Sequence, residues 1–305
     1  MMQIEIREYK NIDEEQVKKL ITVCSEEYYL ISILKSPKLI KAFSAFHKTK
    51  LAGVIFAWKS DFHPYCTYFR LLVNPLYKGR NVAEDLFSKL EQQAIDYPLQ
   101  TSIRETNEDL NLFYNQSGFK ILRRTYLPKL AVSNRTKFVK QIDMGNYRFK
   151  TLAEIKPDHH LMGKLILLVK EVYEQTHLGN PAAEMSMARW KRLILADDVI
   201  ANGSLICVNP DHNEIMAYSF LHGSGNKEIA ELGWCGAVDY DAISLLPRLV
   251  MQQIEYTDKQ GYKYIEGEFD TTSPYAMEVL KTIPFPPSAA LVTFQKGNTR
   301  GWILE

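Results

Sequence analysis

Short apolar runs alternate with amphipathic stretches along the chain, and their periods predict the elements. Ile4-Glu5-Ile6-Arg7 alternates as a strand does. Val17, Leu20, Ile21 and Val23 then share one helical face behind an Asn11 cap and an acidic first turn. Ser36-Pro37 reads as the start of a second helix running to about Phe46. Leu51 to Trp58 and Thr67 to Val73 are apolar runs joined by a polar turn, Lys59 to Pro64, which predicts a hairpin. Leu71-Leu72-Val73 ends at Asn74-Pro75, and Val82, Leu86, Leu90 and Ala94 recur at helical spacing beyond it. A strand over 99–103 follows, then a helix over 109–117 closed by Gly118, and a strand over 119–127 with 137–142 as its partner. Hairpins mixed with one parallel crossover predict an α/β (α+β) fold: a mixed, mostly antiparallel sheet flanked by helices on both faces.

The succession then repeats. Tyr147 to Lys150 reads as a strand, Asp158 caps a helix to about Thr176, and Glu184 to Leu195 is a second helix. Strands follow at 205–208, 215–221 and 229–238, with the turn Asn209-Pro210-Asp211-His212-Asn213 between the first two. A helix over 245–257, a strand over 262–269, a short helix over 274–280 and a strand over 289–294 complete the series. Two rounds of the same order indicate an internal duplication, with domains 1–145 and 146–305.

Composition narrows the class. A chain of 305 residues with 46% hydrophobic and 24% charged residues is globular, and no run reaches the ~20 apolar residues of a membrane span. The N-terminus is charged from Glu5 onward, so a cytoplasmic protein without membrane attachment is expected. The four cysteines, at 24, 66, 207 and 235, form no CxxC pair and read as reduced core thiols. The seven histidines show no ligand spacing, so no metal is expected. The net charge of +1 conceals a partition, with 22 Lys+Arg against 16 Asp+Glu in residues 1–145 and 15 against 20 in the remainder. A basic first half favours a small polyanion, while the lack of a dense basic run argues against nucleic acid. Chance distribution of surface charge produces the same figures.

The loop Tyr77-Lys78-Gly79-Arg80-Asn81 lies between the strand ending at Val73 and the helix beginning near Val82. Free backbone N–H groups at a helix N-terminus, with one Gly and two cations, suit an anion such as phosphate. An ordinary strand-to-helix turn has the same look. Two motifs together separate the readings. Val73-Asn74-Pro75-Leu76-Tyr77-Lys78-Gly79-Arg80-Asn81-Val82-Ala83 resembles the V-x-P-x-x-Q/R-x-x-G-x-G/A signature of the GCN5-related N-acetyltransferase (GNAT) superfamily. Lys78 stands for Gln or Arg and Asn81 for the second Gly. Asn107, Leu110, Tyr114, Gly118 and Phe119 sit at the spacings of the family's later N-x-x-A-x-x-x-Y-x-x-x-G-F signature, with Leu110 for Ala. The chain thus resembles two tandem GNAT-like domains, closely in the first half and by element order in the second.

The resemblance implies acetyl-CoA as donor cosubstrate and a small-molecule or peptide amine as acceptor. It places the pyrophosphate on the backbone of Gly79, Arg80, Asn81, Val82, Ala83 and Glu84, with Lys78 and Arg80 as charge partners. The edge of Leu71, Leu72 and Val73 would pair with the pantetheine amides. Asn107 would cap its helix or lie near the CoA arm. Tyr114 would donate to the departing sulfur, or serve as a packed aromatic. No carboxylate lies in Thr67 to Val73, which leaves Glu105, His63 or water to accept the amine proton. In the second copy Val238 to Ile254 spans 16 residues where Val73 to Ile95 spans 22, which suggests a lost loop. Asp239 and Asp241 stand there, no Tyr follows Thr272 at the expected place, and Gly-Phe has become Pro284-Phe285. Glu231, Asp239, Asp241, Glu266, Glu268 and Asp270 form a substrate-facing, domain-facing or merely solvated acidic surface. An N-acetyltransferase with a degenerate second copy, a non-catalytic acyl-CoA sensor and a transferase of larger acyl groups all fit this pattern. The acceptor and the oligomeric state are not encoded in any motif.

Overall fold

A computed structural model describes residues 3–133, 147–209 and 213–297. The strand expected over 137–142, the boundary at 145/146 and the centre of the turn after Asn209 lie outside the described residues. The chain folds as two compact units interleaved in sequence. One takes Met1–Leu122, Gly179–Ala183 and Val292–Glu305; the other takes Arg123–Leu178 and Glu184–Leu291.

In the first unit, strands β1 (Glu5–Glu8), β2 (Leu39–His47), β3 (Lys50–Trp58) and β4 (Thr67–Val73) form an antiparallel run. Strand β5 (Leu99–Arg104) joins β4 in parallel, and the sheet continues with β14 (Ala290–Lys296) and then β6 (Lys120–Tyr126). Helices cover both faces. On one, α3 (Val82–Glu91) and α4 (Glu108–Gln116) bury Val82, Leu86, Phe113 and Tyr114 against Phe69, Leu71, Val292 and Phe294. On the other, α1 (Glu14–Val23) and α2 (Tyr29–Leu34) bury Val17, Leu20, Leu30 and Leu34 against Phe46, Val54 and Leu72. The alternation of Leu71 and Leu72 between the two clusters is the period-two pleat of β4.

The sequence misleads at one element. The helix expected over 36–46 is strand β2, and the second helix is α2, seven residues earlier. Ala42 to Phe46 are all buried, so β2 has core on both sides and shows no polar alternation. Its Leu, Lys and Ala residues favour helix locally, and sheet pairing on both edges overrides them. The Ser36 hydroxyl does accept from the Lys38 N–H at 3.2 Å, but as a turn beyond α2.

The second unit repeats the plan. Strands β8 (Arg148–Thr151), β9 (Leu205–Asn209), β10 (Glu214–Gly223) and β11 (Ile229–Ala237) are antiparallel, and β12 (Tyr264–Gly267) is parallel to β11. The next place in this sheet is filled by β7 (Lys129–Ala131), while two-residue β13 (Phe269–Asp270) pairs with the end of β6. Helix α6 (His159–Thr176) starts as expected at Asp158, whose carboxylate accepts from the His160 and Leu161 N–H groups at 3.0 Å. Helix α7 (Met187–Ile194) begins three residues later than its pattern suggests, capped by Ser186. Both sheets therefore share one order through five strands, with the parallel pair in the fourth and fifth places. The shared order ends at the fifth strand, and the sixth place is filled from elsewhere: by β14, the last described strand, in the first sheet and by β7 in the second.

Gly53 sets how closely α3 approaches the sheet. A Cβ there would stand 2.8 Å from the Leu72 carbonyl oxygen and 3.0 Å from methyl carbons of Leu86 and Val82. Strand and helix close on each other only because that atom is missing. Gly53→Ala should cost about 1–3 kcal/mol, measured by urea denaturation at constant m-value. A neutral substitution would show that the helix–sheet distance is set elsewhere.

Candidate functional site

Strands β4 and β5 pair only at Thr67/Leu99 and Tyr68/Gln100, although β4 continues to Val73 and β5 to Arg104. Beyond those pairs the two strands part. The Asn74 N–H donates to the Ala52 carbonyl at 2.9 Å, which fixes the ladder phase: residues 68, 70, 72 and 74 bond to β3, and 69, 71 and 73 face β5. On the β5 side the Thr67 N–H donates to the Pro98 carbonyl at 2.9 Å. Two residues per step along a parallel ladder would bring the Leu71 N–H to the Ser102 carbonyl. Arg70 Nη1 donates to that carbonyl instead. No β4–β5 residue pair forms at Leu71 or Val73, whose N–H groups face the gap, and Cys24 Sγ lies 3.5 Å from the Val73 carbonyl oxygen.

The expected anion loop follows directly. Asn74 caps a tight 3-10 turn over Pro75–Tyr77 by accepting from the Leu76 N–H at 3.0 Å. Gly79 has φ of 71° and Asn81 has φ of 55° and ψ of 22°, so both adopt the left-handed conformation. Asn is among the few side chains that tolerate this geometry, and it keeps the backbone course where the family signature has Gly. Among the described residues, the N–H groups of Gly79, Asn81, Val82, Ala83 and Glu84 have no hydrogen-bond partner. Helix α3 runs for ten residues behind them, so orphan donors and dipole converge on one spot. Arg80 is exposed beside it. Lys78, expected as a charge partner for phosphate, donates to Asp109 at 2.9 Å, which raises its pKa.

Asn107 caps α4, accepting from the Leu110 N–H at 3.2 Å, and Asn111 Nδ2 ties the turn down through the Glu105 carbonyl at 3.1 Å. Glu105 itself is half-buried in that turn after β5. Tyr114 has no exposed surface. Its ring packs between Phe69, Phe113, Phe119 and Phe294, with centroids 5.1–5.8 Å apart. The aromatic packing weighed for Tyr114 is therefore present, and its hydroxyl is buried with no hydrogen-bond partner. Burial raises its pKa above the ordinary phenol value, and the Arg70 charge and the nearby Thr101 hydroxyl offset part of that rise. Thr101 Oγ1 is likewise buried without a partner. Two orphan hydroxyls at the parting of two strands are unusual for a finished core.

One group here escaped the sequence reading. Glu26 Oε2 lies 3.7 Å from Arg70 Nε, and the two side chains are 21% and 12% exposed. Its backbone is set by the end of α1, where Ser25 takes φ of 54° and the Glu26 N–H donates back to the Ile21 carbonyl at 3.0 Å. Nothing in the spacing of Glu26-Glu27 marks it as different from surface charge.

The second unit departs from the first in chemistry rather than in length. Residues 238–245 separate β11 from α8 (Leu246–Lys259), as many as the residues 74–81 that separate β4 from α3, so the expected six-residue deletion is absent. The landmark Ile95 lies past the end of α3, which is why the spacing misled. What changes is that Asp239 Oδ1 accepts from the Ala242 N–H at 2.9 Å, so this turn is capped by the chain's own carboxylate. Counted from the helix caps Asn107 and Ser273, Leu280 in α9 (Pro274–Thr282) stands where Tyr114 stands in α4. Of the acidic residues expected to form one surface, Glu266 pairs with Lys129 at 2.6 Å and Asp270 with Arg123 at 3.2 Å.

Residues 8–127 match the family model of the acetyltransferase (GNAT) domain. Among solved structures, a GCN5-related N-acetyltransferase from Sphaerobacter thermophilus is 13% identical, with 96% of this chain and 95% of that one aligned at a TM-score of 0.61. A tandem GNAT protein from the clavulanic acid biosynthesis pathway is also 13% identical, over 97% and 98%, at 0.59. A glucosamine N-acetyltransferase region of a fungal multi-domain β-N-acetylglucosaminidase aligns at 0.62 with 10% identity, over 97% of this chain and 38% of that one. No curated protein matches the sequence. At these identities the structural likeness is one of fold.

The buried phenol makes a stability prediction. Because folding raises the pKa of Tyr114, its contribution is complete below the unfolded value of 10.0 and is lost as pH rises through and beyond it. Tyr114→Phe should melt at or above the wild-type temperature near pH 7, since it removes an unpaired buried hydroxyl. It should also lose stability less steeply than wild type between about pH 9 and pH 11. Parallel melting curves for the two proteins across that range would contradict the assignment.

Proposed function

We propose that this tandem GNAT-fold protein is an N-acetyltransferase that uses acetyl-CoA as donor and a primary amine as acceptor, with its chemistry in the first unit. The observation that carries the reading is the parting of β4 from β5 immediately before an unpaired helix N-terminus. The residues fit the donor. N–H groups from Gly79 to Glu84 would take the pyrophosphate, with Arg80 beside them and Lys78 available once it leaves Asp109. The open edge at Leu71 to Val73 would pair with the pantetheine amides as a strand pairs with a strand. Asn107 holds α4 so that Tyr114 stays at the gap.

In the transfer, the amine nitrogen forms a bond to the acetyl carbon while the carbon–sulfur bond breaks, and the amine loses one proton. The Leu71 N–H is the donor in β4 for the charge that develops on the acetyl oxygen. Tyr114 stays neutral because burial holds its proton, so it stabilises the departing sulfur as a hydrogen-bond donor. Glu105, directly or through water, accepts the amine proton. The second unit serves a structural or acceptor-site role, since Asp239 occupies the turn where an anion would bind.

Arg70 standing in β4 where no carboxylate occurs favours one second reading, an acyl-CoA sensor without turnover. Thiol release from acetyl-CoA with a panel of primary amines separates the two: turnover supports the enzyme, and CoA binding without release for any amine supports the sensor. In the enzyme, Tyr114→Phe should lower turnover on the order of 10²-fold and leave CoA affinity unchanged. Full activity in that variant would remove Tyr114 from the mechanism. Calorimetry should find one CoA per chain; a second equivalent would overturn the assignment of the second unit.

A further inference from the structure

The two faces of the parted strands differ sharply in access. On the α4 side Tyr114 is enclosed by four phenylalanine rings, so nothing approaches the gap from there without repacking. The α1 side carries polar groups with spare bonding capacity. Tyr68 and Arg70 alternate with core-facing Phe69 and Leu71, so both side chains lie on this face. Glu26 reaches the same place from the loop after α1.

Several observations show that Glu26 is set at the gap. It forms an ion pair with Arg70, whose guanidinium also donates to the Ser102 carbonyl across the parting. Burial raises the pKa of both Cys24, whose sulfur touches the Val73 carbonyl, and Tyr114, whose hydroxyl is buried at the gap, and the Glu26 charge adds a smaller rise to each. Its separation from Arg70 Nε exceeds hydrogen-bond length, and among the described residues its carboxylate accepts no hydrogen bond. All four lone-pair positions of a largely buried carboxylate are therefore open. A second acceptor stands beside this row. Asn180, 5% exposed, donates to the Tyr68 hydroxyl at 2.7 Å, and its Oδ1 is buried without a partner. The Tyr68 ring stacks on Trp58 with centroids 5.8 Å apart, which offers a flat aromatic surface.

We propose that Glu26 is the anchor of a subsite for a protonated primary amine attached to a flat, apolar body, with Asn180 and the Tyr68–Trp58 rings as its walls. The inference deepens the proposed function and rests on it for the direction of acyl transfer. An ammonium only donates and so suits the Glu26 carboxylate, the unpartnered Asn180 oxygen on Tyr68 offers the attached body a polar contact, and a cation gains further from neighbouring ring faces. Anions are disfavoured. Arg70 is a poor partner for them, because Nη1 is committed to Ser102, Nε is shielded from solvent and the guanidinium charge is already offset by Glu26. Arg70 is a positioning residue that holds the carboxylate in place.

The test is calorimetric titration of the full chain with tyramine and with 4-hydroxyphenylacetate, which has the same ring and the opposite charge. Wild type should prefer tyramine by at least about tenfold. Glu26→Gln should abolish that preference, Glu26→Asp should retain it, and Asn180→Ala should weaken tyramine several-fold. Equal binding of the two probes, no binding of tyramine, or unchanged preference in Glu26→Gln would each overturn the subsite. CoA affinity, measured on the same proteins, should be the same in wild type and Glu26→Gln. Loss of all CoA binding in wild type would defeat the proposed function and leave the amine preference standing, so the two failures are distinguishable.

Discussion

A parallel pair of strands that stops pairing after two steps leaves backbone donors with nothing to meet. Here the guanidinium of Arg70 takes the Ser102 carbonyl that the Leu71 N–H would otherwise reach. Buried N–H groups are costly to leave unpaired, so a sheet tolerates such a gap only where the flanking structure enforces it. That enforcement is visible on both faces. The rings around Tyr114 brace the α4 side, and Arg70, donating to the Ser102 carbonyl, spans the gap on the α1 side. The unpaired edge, the orphan hydroxyls of Thr101 and Tyr114 and the uncapped start of α3 all lie along the line that this gap opens.

The same gap explains why the closing strand matters. Strand β14 lies beside β5, and Phe294 packs on Tyr114 while Thr293 shares a hydrogen bond with Ser102 at 2.9 Å. The last described strand of the chain therefore helps fix the residues on which the candidate site depends. Residues Gly179 to Ala183 do the same from another place in the sequence, through Asn180 on Tyr68 and the Gly179 carbonyl, which accepts from Gln295 at 2.7 Å. A fragment ending near residue 145 would lack both. The two sheets thus share the order of their first five strands, yet neither is completed by its own consecutive residues.

Comparison of the two units shows which features are generic and which are chemical. Both have the parallel fourth and fifth strands and a connection of equal length into the next helix. In the first, left-handed Gly79 and Asn81 turn bare N–H groups outward; in the second, Asp239 satisfies the turn internally. An internal carboxylate there and the external anion proposed for the first turn are alternative solutions to one electrostatic problem.

The sequence by itself determined most elements, the repeated strand order and the open turn before α3. Those rest on local physics: the period of buried positions, the caps at Asn107 and Asp158, and the conformations open to Gly79 and Asn81. It failed at β2, where burial on both faces erased the alternation that marks a strand, and at Ile95, a landmark with no structural counterpart. Tertiary structure alone decided that Tyr114 is sealed among aromatics, that Lys78 meets Asp109 and that Arg70 holds Glu26 at the gap. Glu26 and Arg70 stand 44 positions apart, and Asn180 and Tyr68 stand 112 apart. No local pattern links such residues, because their meeting is a property of how the sheet closes.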